Sequence, residues 1–372
     1  MNIILCGGGT AGHINPAIAI AEEIKHRYPD SKILFIGREE GFENNLIKKS
    51  GFEYKTIKIQ GLKRSICLTN LKIIHNALKA KQDARKIIES FNPDIVLGTG
   101  GYVCWPVISA AKKMNIPVAI HESNCIPGLT TRLLAGKCDI VFLSNKETEN
   151  YISKAKKTVI CGTPILKSFL GITREQARKS LGIRDNEIFI LSFGGSIGSE
   201  KMNETIIDLI QKYSSKNKSV RHIHATGKNN YETVIRNTKI DEGCGCHIVP
   251  YIDNMPTVLH ASDIVICRCG AITLSELASV GVAAILIPSP NVAENHQFKN
   301  AKMLADDDAA ILIEEKDLTY EAIKKAVEKL KNDKNGRKTK AKRIKDHFTQ
   351  NSTKIIADEL FNLKNESKKA VF

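Results

Sequence analysis

Asn2–Gly12 reads NIILCGGGTAG, and Ile188–Ser199 reads IFILSFGGSIGS. Each is a short apolar run that breaks into glycines and then opens a helical pattern. A glycine loop between strand and helix lets backbone approach a ligand closely and aims unpaired N–H groups at an anion. Two such starts, almost half a chain apart, predict two similar α/β domains. Outward from them the alternation continues. Apolar runs at Ile33–Ile36, Asp94–Leu97, Val118–Ile120, Ile140–Leu143 and Val159–Ile160 are separated by helical patterns such as Ile14–Tyr28 and Leu71–Ser90. The second series runs through Val220–His224, Cys246–Val249, Ile264–Cys267, Ala283–Ile287 and Ala310–Ile313. Short apolar strands alternating with helices imply parallel sheets covered on both faces.

The chain of 372 residues fits two domains at ~150 residues each. Gly162-Thr163-Pro164 interrupts the pattern and marks the boundary, giving domains 1–163 and 164–345. Residues 346–372 form a last helix, capped by Ser352 and apolar at Ile355, Ile356, Leu360 and Leu363, which is expected to pack back on the first domain. Lys+Arg 55 against Asp+Glu 40 gives a net charge of +15, which calls for an anionic partner. Aromatics are only 6%, too few for a platform that stacks single-stranded nucleic acid, and no groove-reading motif is present. No run reads as a signal peptide or membrane span, and the ten cysteines lie in apolar stretches, as reduced thiols do. The pairs Cys244/Cys246 and Cys267/Cys269 lack the C-x₂-C spacing of common zinc sites. Asp306-Asp307-Asp308 spells D-x-D but sits in a polar turn, so no essential metal and no cofactor are assigned.

Chemistry concentrates where strands end. Gly7-Gly8-Gly9-Thr10-Ala11-Gly12 matches G-x-G-x-x-G, with Glu39 after the next strand as the acid of a dinucleotide reading. His13 then opens the helix, as a cap, a core residue or a general base. Gly98–Tyr102 is a third glycine loop, and His121-Glu122-Ser123-Asn124 crowds four polar side chains at one strand end. Cys267–Ala271 leads from strand to helix with Thr273 in its first turn, which suits a phosphate. Glu276, one turn further, suits two ribose hydroxyls, or is simply an acid near a helix start. Asn291–Asn300 offers His296, Gln297 and Asn300.

GGGTAGHINPAIAIA, GTGGYV, HESNCIPGLT, GGSIGS, PYIDNM, CRCGAITLSEL and HQFKNA, in this order from Gly7 to Ala301, together resemble the bacterial N-acetylglucosaminyltransferases that convert lipid I to lipid II in peptidoglycan synthesis. The resemblance implies the GT-B fold, two Rossmann-like domains facing a cleft. It implies UDP-GlcNAc as donor, lipid I as acceptor, and a peripheral place on the cytoplasmic side of the membrane among other cell-wall synthesis proteins. By the same resemblance, His13 with Thr10 and Gly12 serves the acceptor diphosphate, and Tyr102, His121, Glu122 and Asn124 line the acceptor side. Asn124 is similar to a residue that touches the donor sugar. Ser196, Arg268, Ala271, Ile272 and Thr273 resemble the UDP-binding elements. Ile252 would hold uracil through its backbone, Glu276 the ribose, and His296 with Gln297 the GlcNAc hydroxyls. Two positions depart from the family: Leu166 stands where many relatives carry Arg near a uridine contact, and Trp105 where small residues are common.

The expected reaction is direct displacement with inversion, with His13 or Glu122 as base. Another UDP-sugar transferase of the same fold, or an NAD-dependent oxidoreductase, is the alternative. The span from Lys55 to Ser90 holds nine basic residues, among them Lys63, Arg64, Lys72 and Lys79, against Asp83 and Glu89. Interleaved Leu62, Ile66, Leu68, Leu71, Ile74 and Leu78 make it a candidate face for an anionic membrane surface, or a stripe packed on the first sheet.

Overall fold

The computed structural model describes residues 1–39, 43–61, 69–195, 197–240 and 243–369. They form two compact units, one from Met1–Leu166 with Thr349–Phe372, the other Lys167–Phe348.

The first unit is built on seven parallel strands: β1 Asn2–Cys6, β2 Lys32–Arg38, β3 Glu53–Ile57, β4 Ile95–Gly98, β5 Val118–Glu122, β6 Ile140–Leu143 and β7 Thr158–Ile160. Their order across the sheet is β3-β2-β1-β4-β5-β6-β7. Register pairs Ile3 with both Ile33 and Ile95. The inner strands are buried along their length, which is why they read as unbroken apolar runs rather than alternations. β3 escaped the sequence reading because it is an edge strand, with exposed Glu53 and Lys55 alternating with half-buried Tyr54 and Thr56.

Helices cover both faces. Ala11–Arg27 and Ser352–Lys369 pack on one side, where Ile14, Ala17, Ile20 and Ile24 meet Ile356, Ala357 and Leu360 over Ile3, Leu5 and Phe35. Tyr28 stacks on Phe361 at 4.8 Å between ring centroids, and Arg27 pairs with Asp358. Leu166, at the position where relatives carry Arg, packs on this same core. On the other side Thr69–Phe91 and Cys104–Lys113 supply Ala80, Ala84, Ile88, Val107 and Ile108. Those alanines, not Leu78, make the inward face of the long helix. Leu78 is 53% exposed, and the side chains of Leu71 and Ile74 lie outside the described residues, as do residues 62–68. Trp105 half-buries against this core with Lys81 6.0 Å over its ring.

The second unit carries β8 Ile188–Phe193, β9 Val220–Ala225, β10 Cys246–Val249, β11 Ile264–Cys267, β12 Ala283–Leu286 and β13 Ala310–Leu312, all parallel in the order β10-β9-β8-β11-β12-β13. Its inner core joins Ile190, Ile264, Ile266 and Ile285 to Met202, Ile206, Ile323 and Val327. In each sheet the strand order reverses once, at β1/β4 and at β8/β11. Open parallel sheets bind ligands outside the carboxyl ends of the strands at such a reversal. The glycine loops that decided the fold follow β1, β4 and β8.

One detail corrects the sequence reading. Ser352 is not a cap but the first residue of its helix, and its buried hydroxyl donates 3.1 Å to the carbonyl of Gly162. Asn351, with φ 65°, precedes it and accepts from Ile355 N.

Candidate active site

At the β1/β4 reversal, two glycine loops interlock. Gly9, Gly100 and Gly101 have φ of 91°, 108° and 82°, a region that disfavours any side chain. Space is short as well: a methyl group on Gly101 would lie 2.2 Å from Gly8 O, and one on Gly100 would lie 2.5 Å from His13 Nδ1. The Tyr102 ring fills the space beside Gly9 and Gly61, two residues on which a side chain would meet it at 3.2 and 3.1 Å. Gly61 was not singled out in the sequence, since nothing local marks it.

His13 sits in the first turn of the Ala11–Arg27 helix, half-buried, with Nδ1 3.2 Å from Thr99 O. A carbonyl only accepts, so Nδ1 carries the proton and Nε2 the lone pair. Thr99 Oγ1 in turn donates to His13 O at 2.6 Å, so the two loops fix the ring. Thr10 caps the helix by position, exposed and with no side-chain hydrogen bond to the turn; Gly12 is half-buried behind it. No acid occupies that first turn, which leaves its positive end to a ligand.

The HESN stretch behaves differently from expectation. His121 is fully buried; its Nε2 lies 3.0 Å from Gly162 O, and burial lowers its pKa. It braces the exit of β7. Glu122 is also buried, and each carboxylate oxygen accepts two donors. Oε1 takes Asn124 N and Nδ2, both at 3.0 Å; Oε2 takes Gly128 N at 3.0 Å and Thr131 Oγ1 at 2.7 Å. A carboxylate so saturated holds a loop in shape and has no lone pair presented to a substrate proton. Glu122 is therefore corrected from candidate base to anchor, and half-buried Asn124 is the residue it presents.

In the second unit the helix Ala271–Val280 starts at Gly270 without any side-chain cap, so the N–H groups of Ala271, Ile272 and Thr273 are left for an anion. One turn on, Glu276 is partly accessible yet its carboxyl is pushed up to about 8 by burial. No hydrogen-bond partner meets that carboxyl among the described residues. Ile252 is buried, and Lys228, which the sequence reading missed, lies 5.4 Å over the Tyr251 ring.

Arg268 is corrected too. It is buried with Nη1 donating to Ile287 O and Pro288 O at 3.2 Å, while Nη2 meets Ser199 Oγ and the Glu315 carboxylate. Its Nη groups and its charge are met within the second unit, where it braces the loops around the site. Gln297 Oε1 staples Cys269 N and Ser289 N at 3.2 and 2.9 Å, leaving its Nε2 to donate outward. His296 Nδ1 lies 2.8 Å from Ala293 O, which leaves the lone pair on Nε2. Just before it, Glu294 and Asn295 are both left-handed, with φ of 54° and 50°. Two consecutive non-glycine residues in that region are costly, and such strain gathers at ligand sites. Asn300 is buried and donates to Cys269 O at 3.5 Å, so it belongs to the scaffold. Ser196 lies outside the described residues. Cys267 and Cys269 are buried with their thiols pushed far above the usual range, and among the described residues no cluster suited to a metal occurs. The Asp306–Asp308 turn is consumed by ion pairs to Lys302, Lys340 and Arg343, and His347 Nε2 lies 3.1 Å from the Asp307 carboxylate.

The glycosyltransferase family 28 N-terminal domain matches residues 3–143, and the family's C-terminal domain matches residues 189–358. The chain is similar to the UDP-N-acetylglucosamine–N-acetylmuramyl-(pentapeptide) pyrophosphoryl-undecaprenol N-acetylglucosamine transferase of Acetivibrio thermocellus, with 42% identity over 96% of each chain. The transferase of the same name from Finegoldia magna is 37% identical over the full length of both chains. Among solved structures, that of Acinetobacter baumannii MurG superposes with a TM-score of 0.74 at 26% identity, covering 97% of this chain and 99% of the other.

Proposed function

The chain belongs to glycosyltransferase family 28, and from that membership we propose that it transfers N-acetylglucosamine from UDP-GlcNAc to the undecaprenyl-pyrophosphoryl-N-acetylmuramyl-pentapeptide acceptor, lipid I, making lipid II. The observation that carries the reading is the pairing of each family domain with a strand-order reversal that ends in a helix start with no side-chain cap. Both substrates of this reaction carry a diphosphate, and each unit offers one such site.

The donor takes the second unit. The Ala271 helix start meets the diphosphate, Glu276 accepts from the ribose hydroxyls, and the backbone at Ile252 meets uracil. His296 and Gln297 Nε2 meet the sugar. The acceptor takes the first unit, with its diphosphate at Thr10 and Gly12 and its sugar near Tyr102 and Asn124. His13 Nε2 takes the proton of the muramyl 4-hydroxyl as that oxygen bonds to the anomeric carbon. The bond from that carbon to the diphosphate breaks, and its electron pair leaves on the UDP oxygen. Attack from the face opposite UDP inverts the configuration. The charge gained by the leaving group is met by fixed N–H groups of the Ala271 helix.

None of the described helices is long and apolar enough to cross a membrane. Access to a lipid-borne acceptor then comes from peripheral binding to the cytoplasmic leaflet through the basic span 55–90.

The test is a transfer assay with UDP-GlcNAc and lipid I, with UDP-GalNAc as control donor. His13→Gln is expected to lower kcat by a factor of about 10²–10⁴, the usual contribution of a general base, with UDP affinity intact. Retained kcat would move the base elsewhere. Absence of transfer by the parent protein would overturn the reading as a whole.

A further inference from the structure

Beneath the glycine loop after β8, five side chains and the carbonyl of Thr226 form a buried polar file that the transfer chemistry does not use. Ser192, Ser214, His222, His224 and Thr226 are 0% exposed, and Asn203 is 2% exposed. Ser214 belongs to a single π turn, Ile210–Ser214, that ends the helix Glu200–Leu209, and Asn203 lies inside that helix.

The direction of the hydrogen bonds along the file is read from the Asn203 end. Asn203 Nδ2 lies 3.0 Å from Thr226 O, a group that only accepts, so the amide oxygen of Asn203 points the other way. That oxygen is 3.1 Å from His224 Nε2, which must therefore carry a proton. With that proton on Nε2, a neutral His224 accepts at Nδ1 from Ser192 Oγ at 2.8 Å, the shorter of two contacts there; the carbonyl of Ser192 lies 3.2 Å from the same nitrogen. Having given its proton to His224, Ser192 Oγ accepts from His222 Nε2, also at 2.8 Å. His222 Nδ1 accepts from Ser214 Oγ at 3.1 Å. The reverse direction would turn the Asn203 oxygen onto the Thr226 oxygen, two acceptors face to face. Burial keeps both imidazoles neutral, His222 held down to about 3 and His224 to about 4, as the one-way chain requires.

The end of the file is the floor of the donor loop. A methyl group on Gly198 would lie 2.0 Å from Thr226 O, and one on Gly227 would lie 2.5 Å from Gly198 N. Asn230 Nδ2 ties Ile197 O at 3.2 Å to the same turn. Backbone so closely apposed moves together. We propose that His222 and His224 are positioning residues for the donor: through Asn203 they fix the Thr226–Gly227 turn, and that turn fixes Ile197 and Gly198 of the glycine loop after β8. The proposal rests on the second unit being the donor unit.

His224→Leu removes the donor to Asn203, whereas His224→Gln keeps an N–H at the place of Nε2. Steady-state kinetics and UDP binding are measured for both, with thermal midpoints alongside. His224→Leu is expected to raise the donor KM and the UDP Kd about tenfold, the scale of one unsatisfied buried polar group, with acceptor KM unchanged. His224→Gln is expected to restore most of the loss. Because the Leu variant can fail to fold, Asn203→Asp serves beside it; it is isosteric but presents an oxygen where Thr226 O needs an N–H. It is expected to raise the donor KM in the same way. Donor KM and UDP Kd within twofold of the parent in Asn203→Asp, or in a folded His224→Leu, overturn the proposal. Failure of UDP to bind the parent protein would instead overturn the donor assignment on which it rests.

Discussion

Glu276 carries a prediction of its own. In the empty protein its carboxyl is raised to about 8 by burial, so near pH 7 it is mostly protonated. Ribose hydroxyls donating to it would favour the ionised form and bring its pKa down. Binding UDP near pH 7 should therefore release up to one proton. Calorimetry in buffers of different ionisation enthalpy should show that release, and Glu276→Gln should abolish it. An identical proton count in the two proteins would place the ribose elsewhere. The same shift has a stability sign. An acid whose folded pKa is raised favours the fold while protonated, so that contribution is lost as pH rises from about 4.5 through about 8. At this scale the sequence told residue type and strand-end position but not orientation. His121 and Glu122 looked like two neighbouring functional groups. One turned inward to Gly162 and the other was consumed by its own loop, because neighbours on a strand face opposite ways and four donors happened to converge on one carboxylate. Arg268 likewise gave no local sign that Glu315, forty-seven positions on, would meet its charge.

Elements were more legible than residues. Twelve apolar runs announced parallel strands, the inner ones most plainly, since burial on both faces leaves no polar alternation to blur them. β3 was lost for the converse reason, an edge strand whose exposed Glu53 and Lys55 carry no such signal. The basic helix Thr69–Phe91 shows what periodicity alone cannot weigh. Its small residues Ala80 and Ala84 are buried completely while the larger Leu78 faces out, because close approach to the sheet favours small side chains. The terminal helix Ser352–Lys369 was read correctly as apolar at Ile356 and Leu360, both 0% exposed. Leu360→Ala should cost about 2–5 kcal/mol, the range for truncating a fully buried leucine. Urea unfolding would show this as a lower midpoint. A midpoint equal to that of the parent would mean that the helix contributes little to the first unit.

At the scale of the molecule, charge is the property to test. The chain carries +15, and exposed Lys79 with half-exposed neighbours continues a basic run whose residues 62–68 lie outside the described structure. Vesicles containing anionic lipid should bind the protein, less so as salt rises, at ~1 kcal/mol per basic residue near the surface. Replacing Lys63, Arg64, Lys72 and Lys79 with Gln should weaken co-sedimentation further. Equal sedimentation of that variant would put the membrane face elsewhere and leave the chemistry untouched. The division into units also bears on how the chain is made. The second unit is continuous, but the first borrows its last helix from residues beyond Phe348. During translation, 182 residues therefore leave the ribosome between the two parts of the first unit. At about 5–20 residues per second that is a wait of about 10–35 s. Through that interval the sheet face that Ile356 and Leu360 will cover stands open in the nascent chain. The unit begun first is thus the last to be finished, and its half-covered face is what a ribosome-bound chaperone would meet.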